Sequence, residues 1–140
     1  DQLRAFAAIL ADRSVVTWGN SHAGGASSKV QGQLQNVQQI QATWSAFAAI
    51  REDGSVVAWG DPGLGGDCYE VRHELRNVQQ IQATGAAFAA IRTDGSVVTW
   101  GQSDHGGDSS QVKHQLRSVQ QIQATEFSFA AVLADGSVVT

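Results

Sequence analysis

Phe47-Ala-Ala-Ile-Arg-Glu-Asp-Gly-Ser-Val-Val-Ala-Trp-Gly60 decides the fold, and it recurs as Phe88-Ala-Ala-Ile-Arg-Thr-Asp-Gly-Ser-Val-Val-Thr-Trp-Gly101. The run Ala46–Ile50 is apolar on both faces, as a strand covered on both sides must be. Ser55–Trp59 is β-branched and aromatic, which also fits a strand. Asp53-Gly54 between them is a hairpin signal, read here as a turn with both residues at positive φ. Upstream, Val37-Gln-Gln-Ile-Gln-Ala-Thr43 alternates near its end, with Ile40 and Ala42 on one face. The links Trp44-Ser-Ala46, Gly85-Ala-Ala87 and Glu126-Phe-Ser128 are short, so the strands on either side are expected to pair antiparallel.

A step of 41 residues relates Trp18, Trp59 and Trp100, and equally Phe6, Phe47, Phe88 and Phe129. The 140 residues divide into a partial unit (1–17) and three full units, 18–58, 59–99 and 100–140, in one repeat array. The last two units are identical at 25 of 41 positions, so the repeat dominates every other reading. Each unit carries Trp-Gly, four variable residues, Gly-Gly, and a polar segment such as Asp108–Leu116. In that segment Val112 and Leu116 have helical spacing, and Asp108 with Gln111, or Asp67 with Glu70, has the form of a capping box. One or two helical turns are expected there, weakened in the first copy by Gly32. A three-stranded meander alone leaves edges and one face exposed, so neighbouring copies must stack. The expected fold is all-β: a propeller-like array of three-stranded antiparallel blades with a short helical turn per repeat, incomplete or open. The alanines 48, 49, 89, 90, 130 and 131 suit sheets that approach closely.

The N-terminal unit departs from the pattern. Gln2-Leu-Arg4 matches Gln115-Leu-Arg117, but Phe6 follows too soon for a first strand to fit between. Asp12-Arg13 stands where Asp-Gly is expected, and arginine in a left-handed conformation costs about 1 kcal/mol or more. The chain does not begin with Met, which we read as a processed protein or a piece of a longer one.

Composition narrows the function. The net charge is −4 and no Lys/Arg cluster occurs, so no nucleic-acid partner is expected. The single Cys68 excludes an internal disulfide and does not mark a compartment. No apolar run reaches the length of a transmembrane helix, although association with a membrane complex stays compatible with the sequence. Localisation is left open. Repetition argues against an enzyme, because catalysis needs a unique constellation. Asp53, Asp94 and Asp135 read as turn residues, and the Trp-Gly tryptophans as core anchors at strand ends. The Gly-Gly pairs lack the flanking pattern of a phosphate loop. Asp104, His105 and Asp108 form a cluster of metal-ligand types that the other copies do not reproduce, and read as a solvated loop. No catalytic residue, cofactor or metal is expected.

Two slots vary against the constant scaffold. The first holds Asn20-Ser-His22-Ala, Asp61-Pro-Gly-Leu64 and Gln102-Ser-Asp104-His105; the second holds the links that begin at Trp44, Gly85 and Glu126-Phe127. Repeat proteins vary loops on one face to bind partners. Asn20, His22, Trp44, Asp61, Leu64, Asp104, His105, Glu126 and Phe127 are therefore the candidate partner-binding residues, for a protein partner.

The run Phe-Ala-Ala-Ile-Arg-x-Asp-Gly-Ser-Val-Val-x-Trp-Gly-x-x-x-x-Gly-Gly, at 47–66 and 88–107, resembles the repeat of the regulator-of-chromosome-condensation (RCC-type) family. The 41-residue unit looks like a shortened form similar to algal and protist versions. The resemblance implies a propeller, commonly of seven four-stranded blades; here the unit is shorter and three and a fraction are present. It also implies roles: a non-catalytic protein-interaction or scaffold module, with an accessory subunit of a larger and conceivably photosynthetic complex as a special case. The alternatives it implies are guanine-nucleotide exchange on a small GTPase, although no insertion resembles the family's β-wedge, or the targeting domain of a ubiquitin ligase.

Overall fold

The computed structural model describes residues 4–140. The Gln2-Leu match to the later copies lies, apart from Arg4, outside the described residues. Among the described residues, eleven strands form a two-stranded hairpin and three three-stranded antiparallel sheets. The hairpin pairs β1 (Ala5–Ile9) with β2 (Val15–Gly19). The first full blade is β3 (Val37–Ala42), β4 (Ala46–Arg51) and β5 (Val56–Gly60). The second is β6 (Val78–Ala83), β7 (Ala87–Arg92) and β8 (Val97–Gly101). The third is β9 (Val119–Ala124), β10 (Phe129–Leu133) and β11 (Val138–Val139). In each full blade the middle strand in sequence is central in the sheet. The expected all-β array of stacked meanders is the fold observed, and no helix among the described residues is long and apolar enough to cross a membrane.

The cores lie between blades. Ala46, Ala48 and Ile50 of β4 pack with Ile81, Phe88, Ala90, Val98 and Trp100 of the next blade, and Leu75 from the connecting segment closes the cluster. Equivalent clusters sit at the joints before and after it. Phe47 and Trp59 are cross-strand partners with ring centroids 5.3 Å apart, and Phe88 and Trp100 repeat this at 5.2 Å. The Trp59 indole N–H donates to the Gly24 carbonyl at 3.1 Å and that of Trp100 to Gly65 at 3.0 Å. These two tryptophans are the anchors expected. Trp18, by contrast, is 49% exposed, because no blade precedes it among the described residues.

Two local expectations are corrected, and one irregularity in the strand pairing is added. The Asp-Gly turns are not pairs of left-handed residues: Gly54, Gly95 and Gly136 have positive φ, and Asp53, Asp94 and Asp135 do not. Arg51 N–H donates to Ser55 O and Gly54 N–H to Arg51 O, so the loop has three residues and only its last must be left-handed. The aspartates serve the turn through their side chains. The Ser55, Ser96 and Ser137 hydroxyls first, and the same serines' N–H groups second, hold these carboxyls below the usual carboxylate range. The capping boxes also fail. Asp67 accepts from Tyr69 N–H and Asp108 from Ser110 N–H, which are bonds to the second residue on. The helical turns begin later, as 3₁₀ segments at Gln31–Gln33, Tyr69–Glu74 and Lys113–Gln115. Finally, a register shift between Val37 and Gln39 lets Val37 and Ile40 share one cluster although they are three apart.

Arg13 does sit left-handed, at φ 68°. Arg13→Gly is expected to raise the unfolding free energy by about 1 kcal/mol, read as a higher denaturant midpoint at unchanged slope.

Candidate interaction face

Both variable slots lie at one end of each blade, and a threonine ties them together. Thr43 Oγ1 donates to the Leu64 carbonyl at 2.8 Å, and Thr84 Oγ1 to the His105 carbonyl at 2.8 Å. The second slots of successive blades are then joined to each other: Trp44 N–H donates to Gly85 O and Gly85 N–H to Glu126 O, both at 2.8 Å. A 41-residue separation thus becomes a backbone contact.

This ladder brings together three rings that sequence placed in separate loops. Trp44 and His105 have centroids 5.5 Å apart, Trp44 and Phe127 6.2 Å, and His105 and Phe127 5.2 Å. The indole crosses from the first full blade to the second by lying on Gly85, where a Cβ would overlap the Trp44 ring. Gly85 had no role assigned from sequence; the signal was a glycine in the slot position that holds Trp44 one repeat earlier. Thr43 and Thr84 were also missed, because their position is constant and looked like scaffold.

Trp44 is 49% and Phe127 57% exposed. His105 lies beneath them, with its side chain 12% exposed and its Nε2 buried without a hydrogen-bond partner. Its Nδ1 meets Asp104 Oδ1 at 2.7 Å. An ionised carboxylate only accepts, so Nδ1 carries the proton and the ring orientation is set. Asp104 and Glu126 are exposed beside the rings. Leu64, Glu126, Trp44, Phe6 and Arg4 line an adjoining groove.

The remaining candidates lie elsewhere. His22 and Asp61 line a different groove with Lys29 and Pro62. The Asn20 side chain accepts from His22 and Ala23 N–H, and Asp61 from Gly63 N–H, so both hold their own 3₁₀ turns. Asp108 is taken up by Ser110 and does not join Asp104 and His105. Among the described residues no group of three His, Cys, Asp or Glu side chains could hold a metal. Cys68 is half-buried in the joint between blades, where burial first and Asp67 second push its thiol up, away from the reactive thiolate.

No family model matches the chain, and no curated protein matches it. Solved structures do. Yeast RCC1 (Prp20), in a crystal structure bound to Kap60, superposes with a TM-score of 0.62 at 18% identity, over 97% of this chain and 39% of that chain. Human WBSCR16 gives a TM-score of 0.48 at 19% identity, over 88% of this chain and 36% of that one. The chain therefore spans 39% of the length of the RCC1 chain it matches, and with its stacked antiparallel blades it has an RCC1-type propeller fold.

Proposed function

We propose that the chain is a non-catalytic protein-interaction module whose binding surface is the Trp44–His105–Phe127 face. The observation that carries this reading is the convergence of aromatic side chains from three successive blades, two of them half exposed. Half-exposed aromatics in a cluster are the side chains that dominate interface energetics. Asp104 and Glu126 border the rings, which favours a partner presenting an apolar side chain flanked by basic groups. Leu64 extends the apolar surface along the adjoining groove. Asn20 and Asp61 act by shaping their turns, and His22 is an outlying contact.

The test is to retain partners on the immobilised chain, purify the retained protein, and measure its affinity for the wild type and for Trp44→Ala/Phe127→Ala. The double substitution is expected to weaken binding at least about 30-fold, the equivalent of one strong interface anchor. Unchanged affinity would reject this face. An accessory subunit of a larger assembly, photosynthetic or other, and the targeting domain of a ubiquitin ligase are special cases of the same reading, without residues of their own to carry them.

A second reading is exchange-factor activity on a small GTPase, favoured by the superposition on RCC1. Among the described residues only short 3₁₀ segments interrupt the strands, so no projecting β-wedge is present. Release of a fluorescent guanine nucleotide from a panel of small GTPases is expected to proceed at its intrinsic rate with this chain added; acceleration would put this reading first.

A further inference from the structure

The fold gathers three arginines that are scattered in the sequence. Arg51, at the end of β4, lines one groove with Arg72 of the 3₁₀ segment and Arg76 just after it. The groove belongs to an interior joint, between the first and second full blades. Leu75 is 3% exposed in the core of that joint and pins the segment down, which leaves Arg72 and Arg76 in solvent on either side of it. Among the described residues neither of these two side chains makes an ion pair or a hydrogen bond. Arg51 reaches Asp53 at 4.0 Å, and its buried Nε has no hydrogen-bond partner. The one carboxylate lining the groove is that of Glu70.

The other joints show what this one lacks. One repeat on, Arg92, Lys113 and Arg117 stand in the places of the three arginines, and Glu74 stands in the place of Gln33. There Lys113 Nζ donates to Glu74 Oε1 across the joint at 3.3 Å, and Arg92 Nε donates to the Arg76 carbonyl at 3.2 Å. That joint therefore carries its own carboxylate. One repeat back, the places of the arginines hold Leu10, Gln31 and Gln35, and no cation needs an anion. Only at the joint between the first and second full blades are the cations present and the bridging carboxylate replaced by an amide, Gln33, which lines the same groove.

We propose that this groove binds an acidic peptide segment of a partner protein, whose carboxylate takes the place that Glu74 fills one joint further on. The guanidinium fork suits a carboxylate better than an ammonium does, because it can donate two parallel hydrogen bonds. Arg72 and Arg76 have all their donors free for it, and Arg51 is not tied to a backbone carbonyl as Arg92 is. The chain as a whole carries a net charge of −4, so it repels acidic peptides everywhere except at such a local excess of cations. β4 runs from the Trp44 link to Arg51, which puts the groove at the opposite end of the blade from the Trp44–His105–Phe127 face. The inference does not rest on the function proposed for that face.

The test is fluorescence anisotropy of a labelled peptide of alternating glutamate and glycine, titrated with the full chain at low ionic strength, where screening is least. The peptide is expected to bind, and the same peptide with glutamine for glutamate to stay free. Arg72→Gln/Arg76→Gln is expected to weaken binding at least about tenfold, the loss of a charged hydrogen bond. Gln33→Glu is expected to do the same while removing no cation, because it installs the carboxylate that the next joint already has. Gln120→Glu makes the same charge change on an exposed position of β9 and is expected to leave the affinity unchanged, as is Trp44→Ala/Phe127→Ala. All these positions are exposed, so the variants fold. No binding by the wild type, equal binding of the glutamine peptide, or indifference to Gln33→Glu would overturn the proposal. Tighter binding of a labelled single-stranded RNA in the same groove would overturn the assignment to a protein carboxylate.

Discussion

Phe88→Ala is expected to lower the unfolding free energy by about 3–5 kcal/mol, the usual cost of emptying a buried phenylalanine site. Phe88 is fully buried, lies against Trp100, and packs under Gly65 at the joint between two blades. The surrounding alanines and β-branched residues cannot swing in to fill the space, so the cavity persists. The control lies in the same chain. Phe6 occupies the same repeat position and stacks on its own cross-strand tryptophan, Trp18, at 5.6 Å, yet is 54% exposed. Phe6→Ala is expected to cost about 1 kcal/mol or less. Chemical denaturation of both variants decides: equal losses would mean that burial between blades is not what holds the array together.

Gly66→Ala is expected to cost about 3 kcal/mol, at the upper end for overpacking. A Cβ there would fall on the Gly60 carbonyl, with the Asp61 carbonyl 2.7 Å away. Both obstacles are backbone of the turn that leads out of β5, and Gly66 N–H donates to that same Asp61 carbonyl at 2.8 Å. Relief would require breaking the turn that carries the first variable slot. Gly32→Ala makes the comparison, since nothing lies within 4 Å of its Cβ position. That substitution is expected to stabilise by about 0.4–1 kcal/mol through the unfolded chain. Thermal melts of the two variants should therefore shift in opposite directions.

Much of this architecture was legible in residue order. Ala46–Ile50 announced a doubly covered strand because no polar residue interrupts it, and β4 is buried from Ala46 through Ile50. The Asp-Gly pairs located three hairpins. Their turn type was misjudged because Asp-Gly alone does not reveal where the flanking strands stop pairing; Glu52 and Thr93 belong to the loop, which lengthens it by one residue. The shift between Val37 and Gln39 was hidden for a similar reason: alternation in Val-Gln-Gln-Ile is already broken, and only the pairing with β4 shows where the extra residue goes.

The candidate face was half legible. Variation singled out both slots, and the aromatic residues in the second slot drew attention to Trp44 and Phe127. Which slot residues meet was not legible. Trp44 and His105 are 61 positions apart, and they touch because Gly85 leaves room for the indole and the slot backbones bond across blades. His22 shares its repeat position with Asp104, yet it lines another groove, together with Asp61.

Residue order by itself determined the repeat, the strands, the hairpins and the need for stacking, because each rests on local periodicity and turn chemistry within a few residues. Tertiary structure alone decided which identical residues are buried and which variable ones converge. Trp18 and Trp100 share the same neighbours in sequence, Val-Val-Thr before and Gly after, but one lies half in solvent and the other against Phe88 with its indole bonded to Gly65. The difference is that, among the described residues, a blade stands before the one that holds Trp100 and none before the hairpin that holds Trp18, and burial is a property of what stands alongside in space.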